Sequence, residues 1–253
     1  MTVHPLARPL SVDGGDVGVL LSHGFTGSPV SMLPWANHLV ERGYSVRVPR
    51  LPGHGTTWQE LNRTRWPDWY AEVERAFTEL RERCERVVVA GLSMGGCLVL
   101  RIAEQYPDDV AAVVLVNPAV NLERKDLLAL PILRHLVPAV QGIGNDIRKE
   151  NVEESGYDRT PLHALHSQMR MWREVRADLA RVTQPLLLFR SVEDHVVDAS
   201  GAPLIMSGVS STSKREVLLH NSYHVATLDH DMDFIFAESA DFIAEHTGAT
   251  DVR

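Results

Sequence analysis

The stretch Gly91-Leu92-Ser93-Met94-Gly95, followed by Gly96, is the part of the chain best equipped for chemistry. A serine with glycine two residues away on either side is a candidate nucleophile held on a tight turn. The pattern alone decides little: with each fixed residue at ~7% of positions, about one chain in ten carries it by chance. Its setting matters more. Arg86-Val87-Val88-Val89-Ala90 reads as a strand entering the turn, and Cys97-Leu98-Val99-Leu100-Arg101-Ile102-Ala103 as a helix leaving it. That arrangement lifts the Ser93 hydroxyl above a sheet edge, at a helix N-terminus whose free amides favour developing negative charge. The glycines remove β-carbons that would clash in so tight a turn.

A serine hydroxyl is a poor nucleophile until a base takes its proton, and 12 histidines compete for that role. After a strand–turn–helix nucleophile the partners follow in the order acid, then histidine. Residues 216–219 read as the last strand, and His220 and His224 come after it. His224 lies deeper in the loop and is the expected base; His220 is expected at the strand end. Residues 186–190 read as the preceding strand, followed by Glu193, Asp194 and Asp198. Asp194 is the expected acid, since it stands just before Val196-Val197, which can pack it down. An acid that orients a histidine must be held rigidly. Glu193 is expected in solvent, Asp198 as the cap of a helix near 199–207, and His195 as structural. Acyl transfer also needs donors aimed at an oxyanion. The Met94 amide follows the nucleophile. The Phe25 amide lies in His23-Gly24-Phe25-Thr26-Gly27, directly after the early strand 17–22.

The elements that must position these residues alternate. Strands are expected at 17–22, 45–48, 87–90, 110–116, 186–190 and 216–219, and helices at 29–41, 66–83, 94–105 and 233–246. Several strands are almost wholly apolar, as in sheets covered on both faces. The fold class is therefore α/β, with a mostly parallel, doubly wound sheet. Residues 117–185 hold no convincing strand, although a crossover needs only about 12 residues. Amphipathic pieces at 123–136 and 160–179 mark residues 119–182 as a helical insertion, with 1–118 and 183–253 as the core. Composition excludes other classes. The chain has 253 residues, a net charge of −8 and two cysteines, Cys84 and Cys97. Two cysteines cannot build a disulfide framework or a cysteine-rich zinc site, and the acidic balance argues against nucleic acid. No signal-like segment or bilayer-length apolar run is visible, so a cytoplasmic location is expected.

These residues together resemble the α/β-hydrolases, and more narrowly the small bacterial carboxylesterases and monoacylglycerol lipases. The resemblance rests on HGFTGSP (23–29), RLPGHGT (50–56), GLSMGG (91–96), SVEDHVV (191–197) and NSYHVATLD (221–229). It implies a cofactor-free enzyme with a triad of Ser93, Asp194 and His224, and an oxyanion hole of the Phe25 and Met94 amides. It further implies that 119–182 caps an apolar acyl tunnel, with a cap carboxylate near the glycerol head. GYDRTP (156–161) resembles the segment concerned, which makes Asp158 the expected substrate-binding residue. The expected partners are a small-molecule ester and, as an assembly, a second copy of the chain; nucleic acid and an integral membrane segment are not expected. Thioester, lactone and carbon–carbon hydrolysis are the rival reactions, and a non-catalytic binding module is the rival class. Cys97 is expected in the core, His54 as a loop-holding residue, and Met169, Met171 and Trp172 as packing.

Overall fold

The computed structural model describes residues 3–5 and 7–248. Its strands are β1 (Leu10–Val12), β2 (Val17–Ser22), β3 (Ser45–Val48), β4 (Arg86–Leu92), β5 (Val110–Val116), β6 (Ala139–Gln141), β7 (Arg159–Pro161), β8 (Leu186–Ser191) and β9 (Lys214–Leu219). Its α-helices are α1 (Leu33–Glu41), α2 (Trp58–Leu61), α3 (Trp66–Arg81), α4 (Met94–Gln105), α5 (Leu130–Leu136), α6 (Leu162–Asp178), α7 (Gly201–Gly208) and α8 (Met232–Thr247). Seven strands form one sheet in the order β1-β3-β2-β4-β5-β8-β9. Only the short β1 runs antiparallel to its neighbour.

Strand β4 lies at the centre and shows why the apolar runs fold this way. Successive side chains in a strand point to opposite faces. Val87 and Val89 join a core with Trp69 and Phe77 of α3, Leu98 of α4 and Val175 of α6. Val88, Ala90 and Leu92 join a second core with Trp35 of α1 and Phe236 of α8. Both faces are thus covered, and each buried valine or leucine contributes about 1.5–3 kcal/mol. Register fixes the functional end: β2, β4, β5 and β8 are paired in parallel, so their C-terminal ends emerge on one side of the sheet.

The expected elements hold with local corrections. The 29–41 helix opens as a 3-10 turn, Pro29–Met32, and becomes α-helical only at Leu33. Pro34 lacks an N–H and sits in the first turn of α1, where none is needed. The expected 123–136 helix splits in the same way, into a 3-10 turn, Lys125–Ala129, and α5, with Pro131 in the first turn of α5. The insertion does contain strand, contrary to expectation. β6 and β7 form an antiparallel pair with Val140 opposite Thr160. Three residues each, one of them proline, are too few to show alternation. Helix α6 buries Met171, Trp172 and Val175 in the same core as α4, so the insertion's longest helix has no separate core of its own.

Candidate active site

Ser93 connects β4 to α4 with φ 56° and ψ −120°, a conformation costly for a residue with a β-carbon. The surroundings enforce it. The Ser93 amide donates to the Val116 carbonyl at 3.0 Å, and its carbonyl accepts the Gly96 and Ala119 amides, each at 3.0 Å. A β-carbon at Gly91 would strike the Gly95 backbone, and one at Gly95 would strike the Ser22 carbonyl. Glycine at both positions lets β2, β4 and α4 meet this closely.

Asp194 and His224 come together as the spacing predicts. Asp194 Oδ1 accepts the amides of Val196 and Val197, each at 2.9 Å, which leaves Oδ2 facing His224 Nδ1 at 2.8 Å. The valines after the acid hold it through their backbone rather than by packing alone. His224 is itself anchored: its carbonyl accepts from Asn117 Nδ2 at 2.8 Å, and the preceding Tyr223 amide donates to Asp229 at 2.9 Å. Burial pushes His224 down, but the Asp194 charge and hydrogen bond, with Glu154 and Asp146 behind them, leave it above the ordinary histidine value. Burial pushes Asp194 up, and the His224 charge and hydrogen bond, with the Val197 and Val196 amides, bring it below the ordinary carboxylate value. Nδ1 therefore carries the proton toward Asp194 and Nε2 is left to act as a base. His220 and Glu193 are exposed, and Asp198 accepts the Ser200 amide just ahead of α7.

The loop after β2 closes over Ser93. A β-carbon on Gly24 would lie 3.2 Å from Ser93 Cβ, so glycine permits the approach. Two neutral histidines brace the loop. His23 is buried and held down to about 4; its Nδ1–H donates to the Gly24 carbonyl at 2.9 Å and Nε2 accepts the Leu51 amide at 3.3 Å. Burial likewise pushes His54 well down. Its ring lies 5.0 Å from that of His23 and 6.3 Å from that of Phe25, while Nδ1 reaches the Pro52 carbonyl. The Phe25 ring also packs on Trp69 at 5.8 Å. Met94 opens α4, so its amide lies in the turn that has no intrahelical acceptor.

A cavity of about 240 Å³ joins these parts. Ser93, His224 and Phe25 line it from the core, and Leu130, Leu133 and Trp172 line it from the insertion. Asp158 is exposed and does not line it. Its carbonyl accepts the Gly142 amide beside the β6–β7 pair, which leaves this residue on the outer side. Two carboxylates of the same segment do line the cavity, Asp146 and Glu154, the latter four residues before Asp158. Burial raises the Glu154 carboxyl above the ordinary value, against the His224 charge and a hydrogen bond from Ser31. A β-carbon at Gly27 would collide with the Glu154 carboxylate, so the last glycine of the 23–27 loop leaves room for it.

The family model described as serine aminopeptidase S33, Hydrolase_4, matches residues 16–231. The chain belongs to this α/β-hydrolase family. Members similar to it include a thermostable monoacylglycerol lipase of Bacillus sp. (strain H-257), 43% identical over 96% of each chain. A carboxylesterase of Bacillus subtilis (strain 168) is 26% identical over 93% of this chain and 96% of the other. Among solved structures, one reported with the metagenome-derived lipolytic enzymes LipS and LipT superposes with a TM-score of 0.94 at 42% identity, covering 97% of this chain and 100% of the other. A monoglyceride lipase of Saccharomyces cerevisiae shares the fold at a TM-score of 0.79 and 17% identity, over 94% of this chain and 90% of the other.

In this family member, four residues that matter to the site's geometry escaped sequence reasoning. Asn117, at φ 44°, donates to Ser191 Oγ and to the His224 carbonyl while its Oδ1 accepts the Ser191 amide. Asp229 is fully buried and accepts the amides of Arg148, Lys149 and Tyr223. Glu154 and Asp146 lie in an insertion segment without periodicity. The only available signal was for Asp229, which closes the NSYHVATLD stretch. Cys97, Met171 and Trp172 are core residues as expected, and Trp172 also faces the cavity.

Proposed function

We propose that this chain is a serine ester hydrolase acting on monoacylglycerols and related neutral esters, with residues 119–182 as a cap over the acyl site. The observation that carries this reading is the 2.8 Å contact from His224 Nδ1 to Asp194, with His224 and Ser93 lining one largely apolar cavity. Ser93 Oγ attacks the ester carbonyl as His224 Nε2 takes its proton. The amides of Phe25 and Met94 stabilise the tetrahedral oxyanion. His224 passes the proton to the departing alcohol, which leaves an acyl-enzyme. A water molecule then attacks, with His224 again as base, and the fatty acid departs. Asp194 holds the imidazole and stabilises the imidazolium.

The apolar side chains of the insertion suit an acyl chain, and Glu154 suits the hydroxyls of a glycerol head. This reading moves the glycerol-binding role from Asp158 to Glu154. The 43% identity to a monoacylglycerol lipase over nearly the whole chain supports it. The test is labelling with a fluorophosphonate followed by intact-mass analysis. One adduct on the wild type and none on Ser93→Ala is expected. An adduct that survives Ser93→Ala would overturn the nucleophile assignment.

A further inference from the structure

Most of the hydrogen bonds that hold the acid and base loops come from the core, but one residue of the insertion reaches both. Asp146 lines the cavity, and only 9% of its side chain is exposed. Its Oδ2 accepts the His224 amide and the His195 amide, each at 3.1 Å. Its Oδ1 faces His195 Nδ1 at 2.7 Å. Its carbonyl accepts the Val225 amide at 3.1 Å. A single cap residue therefore binds the backbone on either side of the expected base and the residue next to the expected acid. Asp229 clips the same cap segment through the Arg148 and Lys149 amides, so the segment is fixed against the base loop at two points.

We infer that Asp146 is a positioning residue for the triad, coupling the placement of the cap to the alignment and basicity of His224. The inference rests on the proposed roles of Ser93, Asp194 and His224. Neutral acceptors in the cap could have fixed these loop amides equally well, but here the fixing group is an anion beside the base. The charged and titratable groups around it are few. Asp194 faces His224 from the acid loop, and Glu154 and Asp146 face it from the cap. His195 faces Asp146 and Glu193 on the solvent side. Arg148 turns away, its guanidinium over the Tyr223 ring at 5.6 Å and reaching the His220 carbonyl. Asp146 therefore adds negative potential at the imidazole, which favours the imidazolium formed during the reaction. With the cap segment displaced, the His224 amide loses its acceptor and the base loses this field. The acyl site would then be assembled only when the cap is seated.

The experiment compares wild type, Asp146→Ala and Asp146→Asn on p-nitrophenyl butyrate across pH 5–9, with melting temperatures recorded for each. Asp146→Ala removes both acceptor and charge; kcat is expected to fall roughly 10- to 100-fold with KM within about threefold, as for a misaligned catalytic group. Asp146→Asn keeps the shape and one acceptor; kcat is expected to recover to within about fivefold, while the acid limb of kcat/KM moves down by about half to one pH unit. A purely structural role would lower the melting temperature of both variants and leave kcat and the acid limb where they are in the wild type, which would overturn the inference. A rise in KM at unchanged kcat would also overturn it, since that would make Asp146 a substrate contact. Full activity in His224→Ala would remove the triad reading itself; loss of activity in His224→Ala with wild-type behaviour in both Asp146 variants would remove only the role of Asp146.

Discussion

Two regions meet at the cavity, and they are held by different forces. Around the β4–α4 turn, close packing leaves almost no freedom. Glycines at 91 and 95 admit backbone where no β-carbon fits, and both faces of β4 are buried. In the insertion, α5 is apolar on two sides. Leu130 and Leu133 line the cavity, while Ile132 and Leu136 are 72% and 75% exposed. The insertion's attachment to the loop carrying His224 runs instead through carboxylates accepting backbone amides. The contrast suits the roles proposed for each part: reacting groups need fixed geometry, whereas the proposed cap over a lipid-like ester needs apolar surface.

Ser93→Ala is the strongest challenge to the fixed region. Turnover should fall about 10⁶-fold, with a melting temperature close to wild type, measured by ester hydrolysis and calorimetry. Asp194→Asn should cost about 10⁴-fold in kcat by the loss of the oriented imidazole. The pH profile sharpens the same claim. His224 is held above the ordinary value of 6.5, so kcat/KM should lose its base form as pH falls through a value above 6.5. Weakening that hold, as in Asp194→Asn, should move the residual limb to lower pH.

Two glycine substitutions separate the regions directly. Gly95→Ala drives a β-carbon into the Ser22 carbonyl, which is backbone and cannot yield. It should destabilise the fold by about 3 kcal/mol, lowering the melting temperature by roughly 6–12 °C. Gly27→Ala meets only the end of the flexible Glu154 side chain. Its melting temperature should change by less than about 2 °C, yet the preference for a monoacylglycerol over an alkyl ester of equal chain length should shrink. The smallest effect belongs to the outer face of α5: Ile132→Ser should alter stability by less than about 0.5 kcal/mol in chemical denaturation.

What the sequence made legible divides along the same line. The strands around Ser93, the order of acid and histidine, and the loop carrying Phe25 follow from apolar runs, glycine spacing and chain order, because close packing leaves those residues no alternatives. The insertion was legible only as helical mass. Its β6–β7 pair is three residues per strand, too short to show a period. Glu154 and Asp146 sit in irregular backbone, where a carboxylate in the cavity and one in solvent look alike in sequence. Asp158 is expected at the glycerol head from the resemblance of GYDRTP (156–161) to a family segment, and the structure instead puts Glu154 and Asp146 on the cavity lining. Asn117 was illegible for another reason. Its role depends on β5, β8 and the base loop converging in space, which no local pattern encodes.

The central claim is that a serine triad works beneath a cap that reads glycerol through Glu154. The most direct measurement is kcat/KM for monoacylglycerols and matched alkyl esters of equal acyl length, in the wild type and in Glu154→Gln, with Ser93→Ala as the blank. The account predicts a wild-type preference for the monoacylglycerol that falls about 10- to 100-fold in Glu154→Gln, the size of one hydrogen bond to a charged group. Alkyl-ester rates should hold within about threefold, and Ser93→Ala should be silent on both. Equal wild-type rates on the two ester classes, or a preference untouched by Glu154→Gln, would contradict it.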